Sequence, residues 1–138
     1  MKKNFLLVLC ITMFVGCASV TSQLAPNQDV KNLGSVYAVH FTPDKRHLET
    51  LIANELVRKG YKATSGEEKD IPEGTDTLVT YVDHWMWDMT NYMISLDIEI
   101  RKNSDRSLIA SGRSYRPSLQ REEPEVMIQE TLDKILSK

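Results

Sequence analysis

An α+β fold, a two-layer sandwich with a mainly antiparallel sheet and two helices packed on one face, follows from three features of the sequence. Residues 77–115 form a run of strand-like segments with apolar and polar positions alternating. Two stretches flanking that run, 44–60 and 124–136, instead repeat their apolar residues at helical spacing. Short polar turns separate the strand-like segments, so neighbours pair as hairpins and the helices are left to cover one face.

The first strand is predicted over residues 35–41, with Tyr37, Val39 and Phe41 on one face. Thr42-Pro43-Asp44 ends it and is expected to open a helix, with Thr42 or Asp44 as the cap and Pro43 where a missing N–H costs little. The apolar stripe of that helix is Leu48, Leu51, Ile52 and Leu56, and Arg58, Lys59 and Gly60 close it with positive charge and a flexible stop. A short strand follows at 61–64, then the charged loop SGEEKDIPEGT at 65–75. Three strands are predicted at 77–87, 92–101 and 106–115, the last two joined by the turn Asn103-Ser104-Asp105. After a polar connection, a final helix over 124–136 carries Ile128, Leu132, Ile135 and Leu136 on one side. The order is β-α-β-β-β-β-α, and Gly60, Gly66, Gly74 and Gly112 read as punctuation.

Residues 80–100, TYVDHWMWDMTNYMISLDIEI, concentrate aromatic and Met residues in a chain that is 7% aromatic. As a hairpin with Trp87 opposite Tyr92, period two puts Val79, Tyr81, Asp83, Trp85 and Trp87 on one face against Ile100, Ile98, Leu96, Ile94 and Tyr92. The other face pairs Leu78, Thr80, Val82, His84 and Met86 with Arg101, Glu99, Asp97, Ser95 and Met93. One face is apolar and one mixed polar, as a sheet covered on one side requires. Tyr81, Trp85, Ile94, Leu96 and Ile98 are therefore expected in the core. Asp83 is the one ionisable group on the apolar face, and burial without a partner would cost several kcal/mol, so an indole N–H, a Tyr hydroxyl or an Arg is expected beside it. Trp87 and Tyr92, nearest the turn, join Asp83 as candidates for contact with a partner.

The amino terminus reads as an export signal: Lys2 and Lys3, an apolar run from Phe5 to Val15, then Gly16 before Cys17. That run is shorter than the about 20 apolar residues that cross roughly 30 Å of hydrocarbon. Phe14-Val15-Gly16-Cys17 resembles the lipobox of bacterial lipoproteins, with Phe14 where Leu is usual. The resemblance implies cleavage before Cys17, a diacylglyceryl group on its sulfur and acylation, with palmitate, of the new amino terminus. Three chains exceed the two signals that stable anchoring takes. Ala18 and Ser19, with no Asp after the Cys, imply sorting to the outer membrane, facing the periplasm. The expected division is a signal peptide at 1–16, a lipidated Cys and flexible tether at 17–33, and a single periplasmic domain at 34–138. The element order resembles the amino-terminal domain of TolB and the lipoproteins that assist lipopolysaccharide transport or activate cell-wall synthases.

Charge and residue types narrow the chemistry. Loss of Lys2 and Lys3 from 17 basic residues leaves 15 against 19 acidic, a formal charge of −4, which argues against nucleic acid. With Cys10 removed and Cys17 lipidated, no Cys nucleophile or Cys-metal site is expected. His40, His47 and His84 are scattered with no metal spacing, so neither metal nor cofactor is expected. Asp83 and His84 point to opposite faces of a strand, and Asp88 stands alone, which leaves no catalytic constellation. A noncatalytic interaction or assembly module is the leading expectation. Binding of a small amphiphile, a lipid or cell-wall fragment, in a groove between sheet and helices is the alternative, and a hydrolase using Asp83 or Asp88 is a third.

Overall fold

The computed structural model describes residues 16–138; Cys10 and nearly all of the expected export signal lie outside the described residues. The elements are β1 (Ser19–Leu24), β2 (Ser35–Val39), α1 (Leu48–Arg58), β3 (Lys62–Gly66), β4 (Thr77–Asp88), β5 (Thr90–Lys102), β6 (Leu108–Tyr115) and α2 (Pro124–Leu136). They build one six-stranded sheet in the order β1-β6-β5-β4-β2-β3. The β1/β6, β6/β5 and β5/β4 pairs are antiparallel, and β2 runs parallel to both β3 and β4. This is the two-layer α+β sandwich that the sequence predicts, with both helices on one face.

The core between the layers joins Leu48, Ile52 and Leu56 of α1 and Ile128, Leu132 and Ile135 of α2 to Val36, Ala38, Val79, Tyr81, Leu96, Ile98 and Ile100 of the sheet. Spacings of three and four put each helical set on one side. Lys59, at the end of α1, pairs with Asp133 of α2 and ties the helices to each other. On the other face, Tyr37, Val39 and Leu78 are buried under Ile71 of the 67–73 loop, so β2 is covered on both sides. The rest of that face stays wet, with Arg113 paired to Asp97 and His84 beside the same carboxylate.

Four expectations are corrected. Ser19–Leu24, expected within a tether, is an edge strand whose residues pair from Ser19↔Tyr115 to Leu24↔Ala110, and Val30 and Leu33 are buried in the core. The unpaired backbone of β6 supplies the reason: it offers a row of N–H and C=O groups to any segment that reaches it. Helix α1 opens at Leu48, after Asp44, and Thr42-Pro43 form a turn in which the Asp44 N–H donates to Phe41 O at 2.7 Å. Asp44 still satisfies the helix start, accepting the Leu48 N–H at 2.7 Å.

The hairpin keeps the expected register from Thr77↔Lys102 to His84↔Ser95, then slips by one residue: Trp85 faces Met93, and Trp87 faces Asn91 rather than Tyr92. Met89, at φ 61, forms the apex. A bulge at Ile94 accommodates the slip, so Met93 is fully buried in the place expected for Ile94, which is half-buried. Finally, Gly112 is a packing position. A Cβ there would lie 2.6 Å from Ile135 Cγ1 and 3.1 Å from Thr131 Cγ2, so its absence lets α2 settle onto β6. Gly112→Ala should therefore destabilise the domain by about 1–3 kcal/mol through overpacking, read as a lowered urea midpoint with unchanged slope.

Candidate functional site

Two arrangements stand side by side at the amino ends of the helices. The first is a buried polar node. The Tyr81 hydroxyl, rising from β4 into the core, lies 2.7 Å from Asp44 Oδ2 and 3.0 Å from Glu49 Oε2, so its single proton is shared between two carboxylates that are each 4% exposed. Asp44 also accepts the Arg46 and Leu48 N–H groups, both at 2.7 Å. Glu49 is flanked by His40 Nδ1 at 3.0 Å and His47 Nδ1 at 3.1 Å, and the two rings stack with centroids 5.4 Å apart. An ionised carboxylate only accepts, so both rings present Nδ1–H to it.

The electrostatics follow from these contacts. The bond to Glu49 raises the His40 pKa above its ordinary value, against the opposing effect of burial. Burial pushes Glu49 upward, but hydrogen bonds from His40, its own backbone, His47 and Tyr81 outweigh it and hold the carboxyl below the usual range. Burial and the bond to Asp44 drive the Tyr81 phenol upward, so it stays protonated. Among the described residues no buried side-chain nitrogen or oxygen lacks a partner.

The fold corrects the expectation that His40 and His47 are scattered: they converge with Glu49, their ligand atoms within 4.8 Å of one another. Two imidazoles and a carboxylate are donors that a transition ion such as zinc accepts. Here they satisfy each other. The signal missed in the sequence was the His47-Leu48-Glu49 spacing at a helix start, with His47 in the left-handed conformation at φ 56, which turns its ring back toward His40.

The second arrangement is the hairpin end. Trp85 is half-buried, its Nε1–H donates to Asp83 Oδ2 at 2.5 Å, and the Arg46 guanidinium covers its ring at 3.6 Å from the centroid. Asp83 thus has the indole partner expected of it. Tyr92 lies beneath Arg121, whose guanidinium is 4.4 Å from the ring centroid. Arg121 also donates to Asp88 O at 2.8 Å and Thr90 Oγ1 at 2.6 Å, and Ser118 bonds Asp88, so the turn after β6 braces the hairpin. Trp87, by contrast, is 72% exposed, with Met89 at 87% and Leu119 of the bracing turn at 88%. Of Asp83, Trp87 and Tyr92, only Trp87 presents an uncovered aromatic face. An open cleft of about 600 Å³ separates the hairpin from the helix starts, and Arg46, Trp85, Tyr92, Arg121, Glu123 and Glu125 line much of it. Cys17 is exposed, and among the described residues no helix is long and apolar enough to cross a membrane.

No protein-family model and no curated protein sequence matches the chain. Its fold is similar to solved structures of PelC from Paraburkholderia phytofirmans, crystallised as a dodecamer. One aligns with TM-score 0.63 and 16% identity over 86% of this chain and 96% of that one. A variant of the same protein with one Leu replaced by Met, also a dodecamer, gives 0.65 and 16% over 84% and 97%. A PDZ domain protein from Parabacteroides distasonis aligns with TM-score 0.50 and 10% identity, covering 85% of this chain and 34% of that one.

Two outcomes follow from the polar node. Tyr81→Phe removes the proton shared by two buried carboxylates and should cost about 1–3 kcal/mol in chemical denaturation. Stability should also depend on pH through His40 and Glu49. The raised His40 pKa contributes stability that is full below its unfolded value of 6.5 and is lost as pH rises through the folded value. The lowered Glu49 pKa contributes stability that is present above 4.5 and is lost as pH falls through the folded value. The difference in urea midpoint between the native chain and His40→Gln should therefore be largest between pH 4.5 and 6.5 and shrink on both sides.

Proposed function

We propose that the protein is a lipid-anchored, noncatalytic assembly module held against the periplasmic face of the outer membrane. The observation that carries this reading is the position of β1, whose first residue, Ser19, is two places after Cys17. An acylated Cys17 would have no tether behind it, and the domain would be fixed at the lipid surface in one orientation. Such an anchor suits a component that assembles laterally at the membrane better than one that reaches for a distant partner. PelC, which has a similar fold, was crystallised as a dodecamer, and the wet face of this sheet offers Val82 among charged side chains as a candidate contact surface.

The noncatalytic part of the reading is supported by how the acidic candidates are used. Asp83 is held by the Trp85 indole, and Asp88 accepts from Ser118 and Arg121, which also brace the hairpin, so both carboxylates are engaged in structural contacts. The cleft favours a second reading, a cell-wall fragment rather than a lipid, because charged side chains line it around Trp85 and Tyr92. Native mass spectrometry of gently purified protein separates the two, since a retained fragment belongs only to the second.

The first reading predicts that the full chain fractionates with the outer membrane and gains the mass of a diacylglyceryl and an acyl group, and that Cys17→Ala loses both the added mass and the outer-membrane location. Photo-crosslinkers at positions 82 and 92 should capture a second copy or another envelope protein. A Cys17→Ala chain that still sorts to the outer membrane contradicts the anchor, and a complete lack of adducts contradicts assembly.

A further inference from the structure

The uncovered apolar side chains of the hairpin are gathered at the end of the domain from which Cys17 emerges. The Ala18 N–H donates to Gln120 Oε1 at 2.9 Å, and a Cβ on Gly16 would lie 3.8 Å from Pro117. The 117–121 turn that receives the amino terminus is the one that binds the hairpin tip, through Ser118 to Asp88 and through Arg121 to Asp88 and Thr90. Leu119 projects from the same turn. Cys17 and the tip are thus two attachments of one short segment.

We infer that the β4-β5 tip enters the headgroup–acyl boundary of the leaflet that holds the Cys17 lipids, with Met86, Trp87, Met89 and Leu119 as the inserted side chains. The inference rests on the lipoprotein reading and adds a second, protein-made contact to it. The shape of the tip favours lipid over a protein surface. Met86 and Trp87 alternate to opposite faces of β4, Met89 caps the apex, and Leu119 comes from a separate turn, so apolar groups point in several directions. A flat interface would bury one of those directions, whereas a fluid boundary takes all of them. The ionic groups at the tip, Asp88 and Arg121, neutralise each other at 3.2 Å. Trp87 is also the residue type that concentrates at membrane–water boundaries, where an apolar ring and a polar N–H are both accommodated.

The test uses the full chain made in a Gram-negative host, with intact mass reporting acylation, reconstituted in vesicles of phosphatidylethanolamine and phosphatidylglycerol. The emission of Trp87 is the difference between the native chain and Trp87→Phe, a change at an exposed position that leaves the core alone. In vesicles that emission should move to shorter wavelength. It should be quenched about twofold more by bromine placed near the headgroup than at the chain end, because such contacts bury roughly 5–10 Å into the boundary. Met89→Asp should abolish both effects while the acyl mass and far-ultraviolet dichroism stay unchanged. Equal iodide quenching of Trp87 in vesicles and in soluble Cys17→Ala made without residues 1–16 would overturn the inference while leaving the anchor intact. Protection of Trp87 in Cys17→Ala alone, with a doubled sedimenting mass, would assign the tip to a second copy and overturn it as well. An unacylated chain would remove the anchor and the inference together.

Discussion

The proton of Tyr81 is the hinge of this structure. Asp44 and Glu49 are two carboxylates buried within five positions of each other at the start of α1, and like charges at that depth are unfavourable without donors. Tyr81 supplies one donor to both, and the stacked His40 and His47 supply two more to Glu49. Because Asp44 also accepts the Leu48 N–H, the same node fixes where α1 begins and how it docks on β4. A satisfied network of this kind specifies one arrangement, since each member loses its partner if the helix shifts.

That constraint decides what the hairpin exposes. The loop carrying Asp44 also carries Arg46, which lies over Trp85 and ends the cover supplied by the helical layer. Beyond Trp85 the hairpin extends past the helical layer, and the 117–121 turn braces its side. The bulge at Ile94 changes the register where cover ends, bringing Met93 into the core and leaving Trp87 beside Asn91. The exposed tip is thus a consequence of where the helices stop, and its closeness to Cys17 follows from β1 pairing with β6.

The fold class was legible because its signals are local and repeated. Alternation over 77–115 and the stripes of α1 and α2 each follow from burial of one face, and α2 occupies the expected 124–136 without change. What stayed hidden depended on partners distant in sequence. Strand β1 has a polar, half-exposed sequence, SVTSQL, and is ordered by the edge of β6 rather than by its own side chains. Gly112 reads as a turn residue until α2 is seen lying on it. In the site, Asp83 and its indole partner could be reasoned from period two, and Trp87 from nearness to the turn. His40 and Glu49 could not, because a β-strand end and a helix start meet only through the tertiary fold. The bulge also defeated the register, since period two carries no signal for an extra residue.

If the Cys17 end and the hairpin tip form one membrane-facing end of an anchored domain, a bilayer should shield them together. Amide hydrogen exchange, followed by mass spectrometry on the acylated chain in vesicles and on soluble Cys17→Ala made without residues 1–16, tests this most directly. Slower exchange in vesicles should be confined to residues 86–91 and 117–121, with the β5-β6 turn at 103–107, at the opposite end of the sheet, unchanged. Equal exchange at both ends in the two preparations, or protection appearing at 103–107 instead, would contradict it.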